Sequence, residues 1–174
     1  SLAVLGYGQD ERLVRAKNWL AGAATGDGSV SYYALVPGPG FKCRVNGGLP
    51  CAWGAVKALR GLAAFPPNVR SGRDQQAISM AADFLLARDL ARADYPTRGH
   101  ISGEWFRFGF PLSYTSDVLE ACLTLVEAGY ERDIRLTPAI DLVLSQSDAS
   151  GRWSLRYSLN GKMWADIETR GKPS

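Results

Sequence analysis

Two stretches of the chain, SLAVLGYGQDERLVRA from Ser1 to Ala16 and LTLVEAGYERDIRLTPA from Leu123 to Ala139, read as copies of one unit. Gly6 and Tyr7 fall on Gly129 and Tyr130. Asp10, Arg12, Leu13 and Ala16 then fall on Asp133, Arg135, Leu136 and Ala139 without a gap. Two helical hairpins fit between the copies. The repeating unit is therefore a helix pair with a long loop, about sixty residues per pair and longer than the common short helical repeats.

Apolar spacing places five helices around this repeat. The first runs from about Asp10 to Ala23, with Leu13, Ala16 and Leu20 on one face. The second, CAWGAVKALRGLAAF, follows Pro50 and is closed by Pro66 and Pro67. Its Gly54, Ala58 and Gly61 share a face suited to close helix packing. The third, DQQAISMAADFLLARDLAR, carries Ile78, Ala81, Ala82 and Leu85 as a wide apolar stripe. The fourth, SDVLEACLTLVEAG, sets Val118, Ala121, Cys122 and Leu125 at helical spacing and stops at Gly129. The fifth opens on Thr137 as N-cap with Pro138 in the first turn, and is expected to bury Ile140, Val143 and Leu144. The loops after the first, third and fifth helices mix glycine with aromatic residues. Only WSLRYSL alternates like a short strand. The fold class is all-α in a single domain over residues 1–174. The chain starts inside a helix tail and ends at RGKPS without a partner for the fifth helix, which reads as part of a longer protein. An open edge of that kind predicts self-association.

Of the 174 residues, 46% are hydrophobic and 21% charged, an ordinary balance for a globular domain. The net charge of +3 comes from interleaved acids and bases, so nucleic acid is not an expected partner. No apolar run approaches the ~20 residues of a membrane span. The single histidine, His100, excludes multi-histidine metal sites. Cys43, Cys51 and Cys122 form no zinc-ligand spacing and, without a signal peptide, read as reduced thiols in the cytoplasm.

IDLVLSQSDASGRW, with Gln146, Gly151 and Trp153, resembles the QW repeat of squalene–hopene and oxidosqualene cyclases. RAKNWLAGAATGDGS, with Trp19, resembles a degraded copy, and ISMAADFLLARDLARADYPTR a third that lacks the Gly-x-Trp end. Within that superfamily of terpene cyclases and prenyltransferase β subunits, the chain is most similar to bacterial prenyltransferase/squalene oxidase repeat proteins. The stretches RFGFPLSYTSDVLEACLTL and GRWSLRYSLNGKMWADIETRGKPS carry that likeness. The resemblance implies an α/α toroid, here a partial open arc, with helices one, three and five outside and two and four inside around a cavity. It gives Gln146 and Trp153 structural roles, the amide capping a neighbouring helix end and the indole stacking beside it.

The cyclases' acid motif, Asp-x-Asp-Asp, corresponds here to YTSD, Tyr114 to Asp117, in which only Asp117 is acidic. Protonating an alkene needs a carboxylic acid polarised by its neighbours, so Asp117 is the catalytic candidate in a reduced motif, and enzymatic activity is left open. Trp105, Phe108, Phe110 and Tyr114 are the candidate substrate-binding residues, since aromatic faces steady carbocations. Covering helix ends is the ordinary alternative for these rings. The polar stripe Asp117, Glu120, Thr124 and Glu127 is expected on a solvated face or facing the cavity. No metal or cofactor is assigned. The function class implied is a terpene cyclase-like or prenyltransferase-like protein holding an isoprenoid or other apolar ligand. The alternatives are a non-catalytic interaction scaffold and a different α/α-barrel enzyme using Glu104 and Asp117, or Asp166 and Glu168.

Overall fold

The computed structural model describes residues 2–26, 42–43, 46–97, 99, 102–112, 114–156, 158 and 169–173. Its helices are α1 (Glu11–Thr25), α2 (Ala52–Ala63), α3 (Gly72–Leu86), α4 (Val118–Leu125) and α5 (Thr137–Ser145). Among the described residues, strand is confined to the antiparallel pair β1 (Lys42–Cys43) and β2 (Leu49–Pro50), with a lone bridge between Ser154 and Pro173. The chain is all-α, as its periodicity indicates.

The repeat is also a repeat of structure. Ala3–Tyr7 and Val126–Tyr130 each form a wide helical turn broken at a glycine, with φ +94° at Gly6 and +98° at Gly129. Asp10 then accepts hydrogen bonds from the backbone N–H of Arg12 at 2.9 Å and from its guanidinium. Asp133 does the same with Arg135, the backbone bond measuring 3.0 Å. The guanidinium is the main reason that each carboxyl is held below its ordinary range, Asp133 at about 2.

α3 packs against α1 and α2, and α4 packs against α2 and α5. Small residues permit the close approaches. Ala21, Ala24, Ala55, Ala77, Ala81 and Ala82 are buried at the contacts. A Cβ on Gly61 would meet Leu20 Cδ2 at 2.9 Å, which accounts for glycine on that face of α2. Below α2, the turn to α3 is fastened by Arg70, whose guanidinium donates to the carbonyls of Ala63 and Phe65 at 2.8 Å. Ser71 and Asp74 form a capping box at the start of α3. The same Asp74 carboxylate takes the ammonium of Lys17 from α1, in a pair whose side chains are 7% and 1% exposed.

Two expectations need correction. α5 buries Leu136, at the end of the 3₁₀ turn before it, and Ala139. Ile140 and Leu144 are exposed at 42% and 55%, because the face of α5 that meets α4 is the other one. Thr137 is not the N-cap; the helix follows directly from the 3₁₀ turn Ile134–Leu136, which Asp133 caps.

Two outcomes follow. Gly129→Ala has room for its Cβ but must adopt positive φ, so it should lower stability by about 1–2 kcal/mol in denaturant titrations. Lys17→Met strands a buried carboxylate and should cost about 3–5 kcal/mol at neutral pH. Burial opposes the Asp74 charge, yet Lys17 and Ser71 outweigh it and hold its pKa below the ordinary value. The stability from Asp74 is therefore complete above the ordinary carboxylate pKa and lost as pH falls through the lower folded value. Urea unfolding of the parent should weaken on acidification in that window, and Lys17→Met should abolish that component. A variant as stable as the parent at pH 7 contradicts the assignment.

Candidate functional site

The loop from Ser102 to Asp117 delivers the sequence-predicted residues to the N-terminus of α4. Ser102 opens a 3₁₀ turn, Gly103–Phe106, by accepting from the N–H of Glu104. Trp105 then enters the core with no exposure. Its indole N–H donates to the carbonyl of Leu90 at 2.9 Å, and its ring meets Tyr95 edge-on at 5.6 Å. The hydroxyl of Tyr95 in turn donates to the carbonyl of Leu85 at 2.8 Å, and burial raises its pKa. Phe108 is also buried. Through Leu90 and Tyr95, the Trp105 ring fastens the loop to the segment that follows α3.

The other two predicted rings are outside. Phe110 and Tyr114 are 41% and 70% exposed, and Tyr114 meets Trp53 of α2 in an edge contact at 6.0 Å. The four aromatic candidates thus divide: two are core anchors and two lie on the surface near the start of α4.

Asp117 is the N-cap of α4 and is 2% exposed. Its Oδ1 accepts from the N–H of Glu120 at 2.8 Å, and its Oδ2 accepts from the N–H of Gly109 at 3.3 Å. The carboxyl ties the aromatic loop to the helix it precedes. Burial raises its pKa more than these two N–H bonds lower it, and the nearby Glu120 charge adds to the rise. Thr115, Ser116 and Thr124 are buried with it, and their hydroxyl oxygens have no hydrogen-bond partner among the described residues. Glu104 stays in the 3₁₀ turn. Asp166, Glu168 and His100 lie outside the described residues, as does the side chain of Cys43.

The polar stripe of α4 is neither solvated nor open to a cavity. Asp117, Glu120 and Thr124 are buried, and only Glu127 is exposed. The reason is a charge cluster that sequence reasoning missed. Glu120 receives Lys57 Nζ on both carboxylate oxygens at 2.8 Å and Arg60 on Oε1 at 2.6 Å. The cations stand one turn apart on α2, and their side chains are 31% and 48% exposed where that of Glu120 is 2%. A signal was present: two cations three residues apart on an otherwise apolar helix need a carboxylate partner, and Glu120 is the acid in the first turn of α4. With the polar stripe turned to α2, α4 shows solvent Leu119, Leu123 and Val126.

Other chemistry is weakly provided for. The Cys122 thiol is raised to about 11 by burial and by Asp117, which makes it a poor nucleophile. Among the described residues no group of three metal-ligating side chains forms, and no helix is long and apolar enough to cross a membrane. Gln146 ends α5 with its Oε1 buried and unpartnered among the described residues. The Trp153 indole donates to the carbonyl of Val143 at 2.7 Å, closing the C-terminal end of that helix. Compared with protein-family models, curated proteins and solved structures, the chain matches none.

Asp117 can be tested as a cap. Asp117→Ala should lower stability by about 0.5–2 kcal/mol, and Asp117→Asn by less, because an amide oxygen still accepts from Glu120. With its folded pKa raised, the carboxyl contributes stability below the unfolded pKa that is lost as pH rises through the folded one. Thermal melts across that window should show the loss in the parent and not in Asp117→Asn. Equal damage from both substitutions rules out the cap.

Proposed function

We propose that the chain is an α/α-toroid-type module of the terpene cyclase and prenyltransferase kind, which holds an isoprenoid or another apolar ligand on the face shared by α2 and α4. In this reading it works in the cytoplasm with reduced thiols, α2 and α4 are the inner helices, and α1, α3 and α5 are the outer ones. The carrying observation is the orientation of α4. Leu119, Leu123 and Val126 stand exposed at i, i+4 and i+7, while Asp117, Glu120 and Thr124 are buried. A helix with its polar side inward and an aliphatic stripe outward offers apolar surface that needs a cover. Tyr114 against Trp53 adds an aromatic end to that surface.

Binding is favoured over catalysis. Asp117 is enclosed, and both of its oxygens accept backbone N–H bonds. An acid that protonates a ligand has to reach it. The second reading, a non-catalytic repeat that associates with itself or with other proteins, draws on Ile140 and Leu144 at the outer side of α5.

Mass spectrometry of small molecules carried through purification, together with titration of farnesol, tests the proposal. Tyr114→Ala should weaken farnesol binding by about 0.5–1.5 kcal/mol with an unchanged melting temperature, since that ring is mostly exposed. Absence of any bound or titratable apolar ligand turns the assignment to the scaffold.

A further inference from the structure

We propose that the seam between α2 and α4 takes a long-chain carboxylate, its head on Lys57 and Arg60 and its tail along Leu119, Leu123 and Val126. This rests on the reading of that face as a site for an apolar ligand, and adds the charge and the head group.

The head site is built by Glu120. Its buried carboxylate holds Lys57 Nζ at 2.8 Å on each oxygen and Arg60 at 2.6 Å. Both cationic heads are thus fixed against α4 before a ligand arrives, so less side-chain freedom remains to be lost on binding. They are not used up. Arginine presents five N–H donors in a planar fork, and a single bond joins Arg60 to Glu120. Its side chain remains 48% exposed and that of Lys57 31%. Two cations against the Glu120 carboxylate leave one net positive charge in the hydrogen-bonded cluster, and the nearby Asp117 carboxyl has its charge disfavoured by burial. That charge matches a single carboxylate, which a guanidinium edge can meet with two parallel bonds. A diphosphate would bring more charge than the cluster offers.

The tail site adjoins it. Leu119 precedes Glu120, and Leu123 stands three residues after it, within one helical turn of about 5.4 Å. Val126 extends the stripe, and all three are exposed. Glu127 lies seven residues beyond Glu120 on the same side of the helix and is exposed. Its charge disfavours a carboxylate there, which keeps the head at the level of Glu120. An uncharged terpenoid would cover the stripe and leave the spare donors of Arg60 unmatched.

The experiment is calorimetric titration of the 174-residue chain with dodecanoate, dodecanol and acetate, each below any micelle-forming concentration, at two salt concentrations. Dodecanoate should bind about tenfold more tightly than dodecanol and acetate not measurably, with the dodecanoate affinity falling as salt rises. Arg60→Gln leaves Glu120 with both Lys57 bonds and should fold. It should bring dodecanoate to the affinity of dodecanol without changing the latter, and Leu123→Ser should weaken both ligands. Equal binding of dodecanoate and dodecanol, or an unchanged preference in Arg60→Gln, overturns the head assignment while the apolar-ligand reading stands. Failure of both ligands to bind overturns both. So does an oligomer that Leu123→Glu dissociates without any ligand binding, since a second copy would then be the cover.

Discussion

The Asp74 carboxylate joins three parts of the fold. Through Oδ2 it accepts from the backbone N–H of Ser71 at 2.7 Å and so starts α3. Through the same oxygen it takes Lys17 from α1. Lys17 also donates to the carbonyl of Val69 and lies over the Phe65 ring at 5.6 Å, which binds it to the turn between α2 and α3. An ion pair so enclosed contributes little net stability compared with apolar residues of the same shape. Its importance lies in direction. The interface between α1, α2 and α3 mixes alanines with Leu59, Leu62, Ile78 and Leu85, and Leu20 seated on Gly61 favours one alignment of α1 and α2. A charge pair that must meet inside that interface fixes one register.

That register carries forward along the chain. With α2 set by α1 and α3, Lys57 and Arg60 stand at one place on its free side, and α4 is drawn to them through Glu120. The loop before α4 is fixed at its other end by Trp105 and Phe108 in the core. Asp117 then joins loop and helix through Gly109 and Glu120. The aliphatic stripe of α4 faces solvent because the neighbouring side of the helix is committed to these polar contacts. The orientation of the face proposed as a binding site is thus a consequence of two carboxylates meeting cations from earlier helices.

Much of this architecture is legible in the sequence, because helix period and local turn chemistry act over a few residues. The repeat foretold the paired turns at Gly6 and Gly129, and Pro66 the end of α2. Asp10 marked the start of α1, while the N-cap expectation fell on Thr137 rather than on Asp133, the counterpart of Asp10. Pairings across the chain were harder to see. Lys17 sits four residues from both Leu13 and Ala21, a charge on the core face of α1, and that was the available sign of a buried partner. Asp74 and Glu120 could not be matched to their cations from spacing alone, since 57 and 63 residues separate the members of the pairs. The same distance explains the aromatic candidates. Composition grouped Trp105, Phe108, Phe110 and Tyr114, and only the third dimension separated two core rings from two surface rings.

The two copies of the repeat show how context, with the local chain nearly constant, decides burial. Leu125, Leu136 and Ala139 are buried, while their counterparts Leu2, Leu13 and Ala16 are exposed or only partly covered. The local geometry hardly differs: the glycine φ, the aspartate cap and the arginine bonds recur in both. The second copy follows α4 and packs against it, and its turn also touches α2. Around the first copy no described helix stands in the place that α4 takes around the second. The capped turn therefore keeps its glycine conformation and its ion pair whether or not its apolar residues are covered. Such a unit can be repeated with different partners, and the partner, not the turn, decides which of its apolar residues are buried.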